Sequence, residues 1–314
     1  SDLPMTGEMD SLSTESLPMR ARAAREAGAD AVVIALDTPG GEMLSTLELC
    51  RRIKGEFPPN TIAWIRPRAF SAGTIAALAC REIVVTPDAV FGDAAPIAVV
   101  PLAGLNPLPP AERAKLAAPL ISEVTDSARR RGHDERLCRA FIDATMELWL
   151  LEDAQRGERF LVDAPEYEAI FGEAPERSER INLPGPAGRL LPWITDALRR
   201  PGGKVAEAPQ DLPPGRQALT AADRDRLEVI SQIDRADELL TLRANEAMAL
   251  GVAAATVADE AQLRAFLGAE RSFTIEPRWS EGLARILTSW WMRALLVIVL
   301  LACFAGEMMA PGLG

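Results

Sequence analysis

Strands and helices that alternate over short connections make an α/β fold with a largely parallel sheet, and three stretches of this chain carry that expectation. Residues 31–36, Ala-Val-Val-Ile-Ala-Leu, form an apolar run that stops at Asp37-Thr38-Pro39-Gly40-Gly41. Such a run reads as a strand buried on both faces that breaks into a turn. Phe70-Ser71-Ala72-Gly73-Thr74 follows one helix and one strand later, where a strand hands over to an Ala-rich helix. Ile83-Val84-Val85 then repeats the buried-strand pattern ahead of Phe91-Gly92-Asp93. Successive βαβ units follow from this order.

Taken in order, residues 9–28 are rich in Ala, Arg, Glu and Leu and predict a helix ended by Gly28. The strand at 31–36 leads to a helix over 42–54, with Met43, Leu44, Leu47 and Ile53 among its apolar positions. A second strand spans 61–65, a short helix 71–80, and a third strand 83–85. Residues 96–112, rich in Pro and Leu, predict irregular structure. A helix begins near Pro110 and runs, with a break at Pro119, to Arg131, where Gly132 ends it. Residues 147–151 and 159–162 flank Gln155-Arg156-Gly157 and predict a hairpin. From 165 to 216 the chain is dense in Pro, Gly and charge, the mark of an insertion or surface excursion. Order returns at 239–242, with helices over 244–250 and 260–267. No internal repeat is evident.

The tail differs in kind. Residues 294–306 carry no charge, and Trp290 and Trp291 precede them. Counted from Trp290, the segment is close to the lower limit of about 17 residues for a bilayer span. Paired Trp suits the membrane interface, and Arg293 can snorkel toward it. The alternative is a buried C-terminal helix, but a soluble helix is seldom apolar on every face. Arg293 at this end argues, under the positive-inside rule, against an external main domain.

Composition removes several classes of function. A net charge of −11 opposes sequence-independent nucleic-acid binding, and 5% aromatics leave little for base stacking. Cys50, Cys80, Cys138 and Cys303 show no CxxC spacing, and with one histidine there is no Cys/His metal constellation. The start, Ser-Asp-Leu-Pro, has no signal-peptide pattern.

The chemistry centres on Ser71 and the Pro39-Gly40-Gly41 turn. A serine nucleophile needs a base and donors for the developing oxyanion. Ser71 sits where a strand ends and a helix begins, so the helix N-terminus favours negative charge there, and glycine amides after a strand offer the donors. Both features have plain alternatives: Ser is a frequent N-cap, and glycine often serves a turn sterically. For the base, His133 follows three arginines at a solvated helix end. Only three of the 34 basic residues are lysines. Lys54 sits beside Arg51 and Arg52 on what should be an exposed helix face, and Lys204 lies in the Pro/Gly-rich excursion. Lys115 is left, with a surface lysine as its alternative reading. A lysine acts as a base near pH 7 only when desolvated.

At these residues the chain resembles the NfeD-type membrane-bound serine proteases, a branch of the ClpP/crotonase superfamily. The resemblance rests on residues 36–41 (Leu-Asp-Thr-Pro-Gly-Gly), Ser71-Ala72-Gly73-Thr74 and residues 91–96 (Phe-Gly-Asp-Ala-Ala-Pro). Residues 240–251 and the closing Trp279-Ser280-Glu281 … Ala310-Pro311-Gly312 extend it. It implies a ClpP-like spiral of βαβ units over 1–150 and 236–270, an insertion at 151–235, a linker at 271–289 and a membrane helix at 290–306. It also implies a Ser71–Lys115 dyad, an oxyanion hole from Gly40, Gly41 and Ala72, and no cofactor or metal. By the same resemblance, substrates are apolar peptide segments, including those of stomatin-type membrane proteins, cut by a homo-oligomer outside the cytoplasm. Three departures from the family pattern stand out: the 150–235 stretch is longer than the simplest members' connection, the first strand and signal expected before Asp2 are missing, and the sequence stops after one hydrophobic segment where long members continue.

Two other functions use the same features. A non-catalytic membrane scaffold would tolerate loss of Ser71 or Lys115 without losing partners. A crotonase-type acyl-CoA enzyme would need a CoA phosphate site, which the acidic balance and apolar tail oppose.

Overall fold

The computed structural model describes residues 1–100, 104–106, 109–175, 212–236 and 238–309. Its main sheet is seven-stranded, with β1 (Asp2–Thr6), β2 (Val32–Thr38), β3 (Thr61–Phe70) and β4 (Glu82–Val85) side by side and parallel. The continuous apolar runs are explained by burial on both faces. Val32, Ile34, Leu36, Ala63, Ile65, Ile83 and Val85 pack into the larger core. Val33, Ala35, Ile62, Trp64 and Val84 point to the opposite face, against Leu263 and Leu267. With a side-chain period of two, each strand therefore feeds two apolar layers.

The chain's start departs from expectation: Asp2–Thr6 forms a strand, β1, that the sequence reading did not predict, paired with β2 from Asp2↔Val33 to Thr6↔Asp37. Its five residues, with Pro4 among them, are too short a pattern to stand out. The second correction concerns β3, which does not stop at Ile65. It passes through Arg66-Pro67-Arg68 to Phe70, leaving β4 after Ile65 and pairing with β5 (Val90–Gly92) from Arg68. A proline inside an apolar run argues against a central strand, but here it falls where one neighbour is exchanged for another.

The helices fill in order: α1 (Ser11–Glu26), α2 (Met43–Gly55) and α3 (Ala72–Ala79). Residues 96–112 hold a small hairpin, β6 (Ala98–Val100) with β7 (Gly104–Asn106). Next come α4 (Pro110–Arg131), ended by left-handed Gly132, and α5 (Glu135–Ala140). The helix α4 continues through Pro119 without a break. A second, antiparallel sheet follows, from β8 (Leu148–Asp153), β9 (Arg159–Asp163) and β10 (Leu227–Asp234), with the predicted hairpin as its first pair. The helix α6 (Ala164–Phe171) packs beside it around Trp149, Leu151, Val162 and Ile170. Of the 165–216 excursion, residues 176–211 lie outside the described residues, and Lys204 with them.

Arg136 and Arg216 meet the buried Glu166 carboxylate at 2.8 and 2.9 Å and fasten this second sheet to α5. The chain returns to the main sheet through β11 (Thr241–Arg243), antiparallel to β5, then α7 (Ala244–Ala249), β12 (Ala255–Thr256) beside β4, and α8 (Glu260–Leu267). Residues Ser1–Ile275 form one compact unit and Glu276–Gly314 another. The second unit contains α9 (Trp279–Thr288) and α10 (Trp290–Met309).

Candidate active site

Three strand ends converge on one cleft. The turn after β2 supplies Pro39, Gly40 and Gly41, the end of β3 supplies Phe70 and Ser71, and the end of β5 leads to Asp93. The cleft has a volume of about 730 Å³, with Met43, Ile75, Leu116 and Leu120 on its apolar side. That is within the range of small-molecule and peptide sites. Its charged lining is acidic, from Glu8, Glu42 and Asp93.

Ser71 is the most unusual residue in it. Its φ of 50° and ψ of −116° place a non-glycine residue in a sparsely allowed region, and its side chain makes no capping bond to α3. Ser71 thus stands at the N-cap position of α3 without its hydroxyl serving as the cap. A backbone held this way costs on the order of 1–3 kcal/mol and persists only where its surroundings enforce it. Those surroundings are visible. The Ser71 N–H donates to Gly92 O at 3.0 Å. Thr74, fully buried, accepts from Gly92 N–H at 2.8 Å and donates to Ala69 O at 2.6 Å, tying β5 and the end of β3 to the first turn of α3.

The glycine turn is fixed as tightly. At Gly40, φ is +126° and a Cβ would lie 2.8 Å from Ser71 Cβ. At Gly41 a Cβ would lie 2.0 Å from the Met9 carbonyl oxygen. Met9 clamps the turn, its N–H donating to Gly40 O (2.8 Å) and its carbonyl accepting from Glu42 N–H (2.9 Å). So the steric reading of these glycines is true, and it brings their backbone against the serine.

The three amides differ in availability. Gly40 N–H donates to Thr38 Oγ1 at 3.1 Å and is occupied. The N–H groups of Gly41 and Ala72 have no protein acceptor among the described residues. Both residues line the cleft with Ser71. Free amides at the start of α3 also lie at the positive end of its dipole.

The lysines are placed otherwise than their sequence neighbourhood implies. Lys54 is not on an exposed face: its Nζ lies 2.6 Å from both Glu123 and Asp126, with 15% of the side chain exposed, between α2 and α4. Lys115 is exposed on α4, and it is its neighbours Leu116 and Leu120 that line the cleft. The structure thus brings Ser71, Gly40, Gly41 and Ala72 together and leaves Lys115 outside the cleft. His133 is not solvated as expected. Its Nε2 is buried without a hydrogen-bond partner, and burial, then the Arg131 charge, lowers its pKa to about 4. Thr38, Thr74 and Met9 were missed as site residues. Thr38 and Thr74 lay inside the motifs already singled out, but the sequence does not show which backbone groups their hydroxyls meet. No group of three His, Cys, Asp or Glu side chains among the described residues is arranged to hold a metal ion.

The family model for the NfeD1b N-terminal domain matches residues 3–168. The chain belongs to the NfeD1b family. All the residues of the cleft named above fall inside the matched span. Among solved structures, this NfeD1b chain is similar to the 1510-N membrane protease specific for a stomatin homolog from Pyrococcus horikoshii, at 14% identity and a TM-score of 0.48, over 92% of this chain and 97% of that one. A serine-to-alanine mutant of the 1510-N membrane-bound stomatin-specific protease matches at 25% identity and a TM-score of 0.40, over 45% and 68% of the two chains. A lysine-to-alanine mutant in complex with a substrate peptide matches at 23% and 0.42, over 58% and 75%. No curated protein sequence matches the chain.

Proposed function

We propose that this NfeD1b protein is a membrane-anchored serine endopeptidase in which Ser71 is the nucleophile. The observation that carries the proposal is the strained, uncapped Ser71 set in a cleft beside the unoccupied Gly41 and Ala72 amides. Strain of this kind at a strand-to-helix turn exposes a nucleophile's oxygen, and paired amides suit a tetrahedral oxyanion. In this reading Ser71 Oγ attacks the scissile carbonyl carbon and the oxyanion forms between the Gly41 and Ala72 N–H groups. Gly40 contributes the close backbone approach and its tie to Thr38. The base takes the Oγ proton, the C–N bond breaks, and the proton passes to the leaving amine. Water then releases the acyl group.

Lys115 is the proposed base, and its exposed position defines what must happen. In this reading Lys115 must reach Ser71 when a peptide is bound, although in this structure it lies exposed outside the cleft. Catalytic hydrogen bonds are often absent before substrate binds. The apolar side of the cleft and the apolar α10 support apolar peptide substrates near a membrane, and the similar membrane proteases are specific for stomatin or a stomatin homolog. Residues 1–150 and 236–270 would form the protease body, with 151–235 inserted, 271–289 linking and 290–306 anchoring. Peptide cleavage by detergent-solubilised protein tests the dyad. Ser71→Ala and Lys115→Ala should each abolish it with the fold intact, whereas activity that survives Lys115→Ala removes that residue from the mechanism. Inactivity of all three proteins would favour a scaffold.

A further inference from the structure

We infer that α9 lies in the membrane–water boundary as an interfacial helix, distinct from the span that follows it. At 3.6 residues per turn, Trp279, Leu283, Ile286 and Leu287 fall within an arc of about 100°, with Ser280 on its flank and Ala284 and Glu281 farther round. The apolar arc is open: Trp279 is 82% exposed, and Leu283, Ile286 and Leu287 are 45–49% exposed. A soluble helix buries such a face, and an unpartnered one marks a surface that something else covers.

The chain itself indicates the occupant. Ser289, extended at ψ 147°, ends α9, and α10 begins at the next residue. Trp290–Met308 is long and apolar enough to cross a bilayer. A face that ends one residue from a span is held at the depth of the interface, where aromatic residues such as Trp279, Trp290 and Trp291 concentrate. Ten residues make a helix of about 15 Å, too short to span the hydrocarbon but long enough to lie along it. An apolar arc opposite polar positions is the pattern of helices that lie in the interface plane. The occupant is therefore the lipid of the same bilayer. The inference rests on the anchor proposed above, and the experiment separates the two.

The full chain, with Cys303→Ser, is reconstituted into phosphatidylcholine–phosphatidylglycerol vesicles. A spin label is placed in turn at cysteines substituted for residues 279, 280, 281, 283, 284, 286 and 287. The remaining native cysteines, Cys50, Cys80 and Cys138, are buried. Resistance to carbonate extraction reports the anchor separately. Collision with oxygen relative to a water-soluble nickel chelate should be several-fold higher at 279, 283, 286 and 287 than at 281 and 284, and intermediate at 280 on the flank of the arc. Uniform access to the nickel chelate would overturn the inference, placing α9 in water. Protection from both reagents along the apolar arc would overturn it equally, showing a protein partner or a second copy there.

Discussion

At Ser71 the local geometry is held by groups that are not themselves reactive, and each can be removed singly. Gly40→Ala adds a methyl 2.8 Å from Ser71 Cβ at a φ few side chains tolerate. It should lower stability by about 2 kcal/mol and abolish cleavage, measured by thermal melts and peptide turnover. Thr74→Val leaves Gly92 N–H and Ala69 O without their hydroxyl partner and should cost roughly 1–3 kcal/mol. The buried Glu82 and the half-buried His133, whose Nε2 is enclosed, make stability depend on pH with opposite signs. Burial raises Glu82 from 4.5 to about 7, against the pull of Arg81 and Arg131. Its contribution is fully present below pH 4.5 and is lost as pH rises through 7. His133, lowered from 6.5 to about 4, contributes above pH 6.5 and loses that as pH falls through 4. Each effect amounts to about 3 kcal/mol at full extent, so they offset one another between pH 4.5 and 6.5. Glu82→Gln should therefore unmask a loss of stability between pH 7.5 and pH 5 in urea titrations, and an unchanged profile would count against an enclosed, neutral His133. The strained serine and the glycines beside it were legible because turn chemistry is local. The enclosure of Lys54 was not, because it depends on a helix distant in sequence.

At the scale of elements, the buried strands were readable from their unbroken apolar runs, and the helices from their caps. What escaped were β1, too short to show a pattern, and the far half of β3, where Arg66-Pro67-Arg68 looks like a break but exchanges β4 for β5. Pairing across α2 and α4 was likewise invisible, since Lys54 follows two exposed-type arginines yet reaches Glu123 and Asp126 on a helix some 70 positions on. Lys54→Met leaves the partly buried Glu123 carboxylate without its cation and Asp126 with Arg130 alone. The expected loss is roughly 1–3 kcal/mol, below the cost for a fully buried pair because these side chains retain some exposure. A shift in the urea midpoint at constant slope would measure it.

The molecule as a whole divides at residue 275. Thr274 and Ile275 still join β1, through a bridge to Asp2 and the bond from Ile275 N–H to Asp2 O (3.0 Å), and belong to the first unit. A chain ending at Ile275 should keep its melting temperature within a few degrees and leave the membrane fraction for the supernatant. Retention of that shortened chain on membranes would mean the first unit has a membrane contact of its own. The apolar tail announced itself in the sequence because a span is a matter of length and charge alone. The place of Lys115 relative to Ser71 did not, since it depends on how α4 meets the cleft.

Reaction with a fluorophosphonate probe, followed by mass spectrometry of the modified peptide, reports directly whether Ser71 is an activated nucleophile. Expected is a single adduct on Ser71 in the vesicle-bound protein, lost in Ser71→Ala and strongly reduced in Lys115→Ala. An unlabelled Ser71 in protein that still cleaves peptides, or an adduct on a different serine, would contradict the assignment.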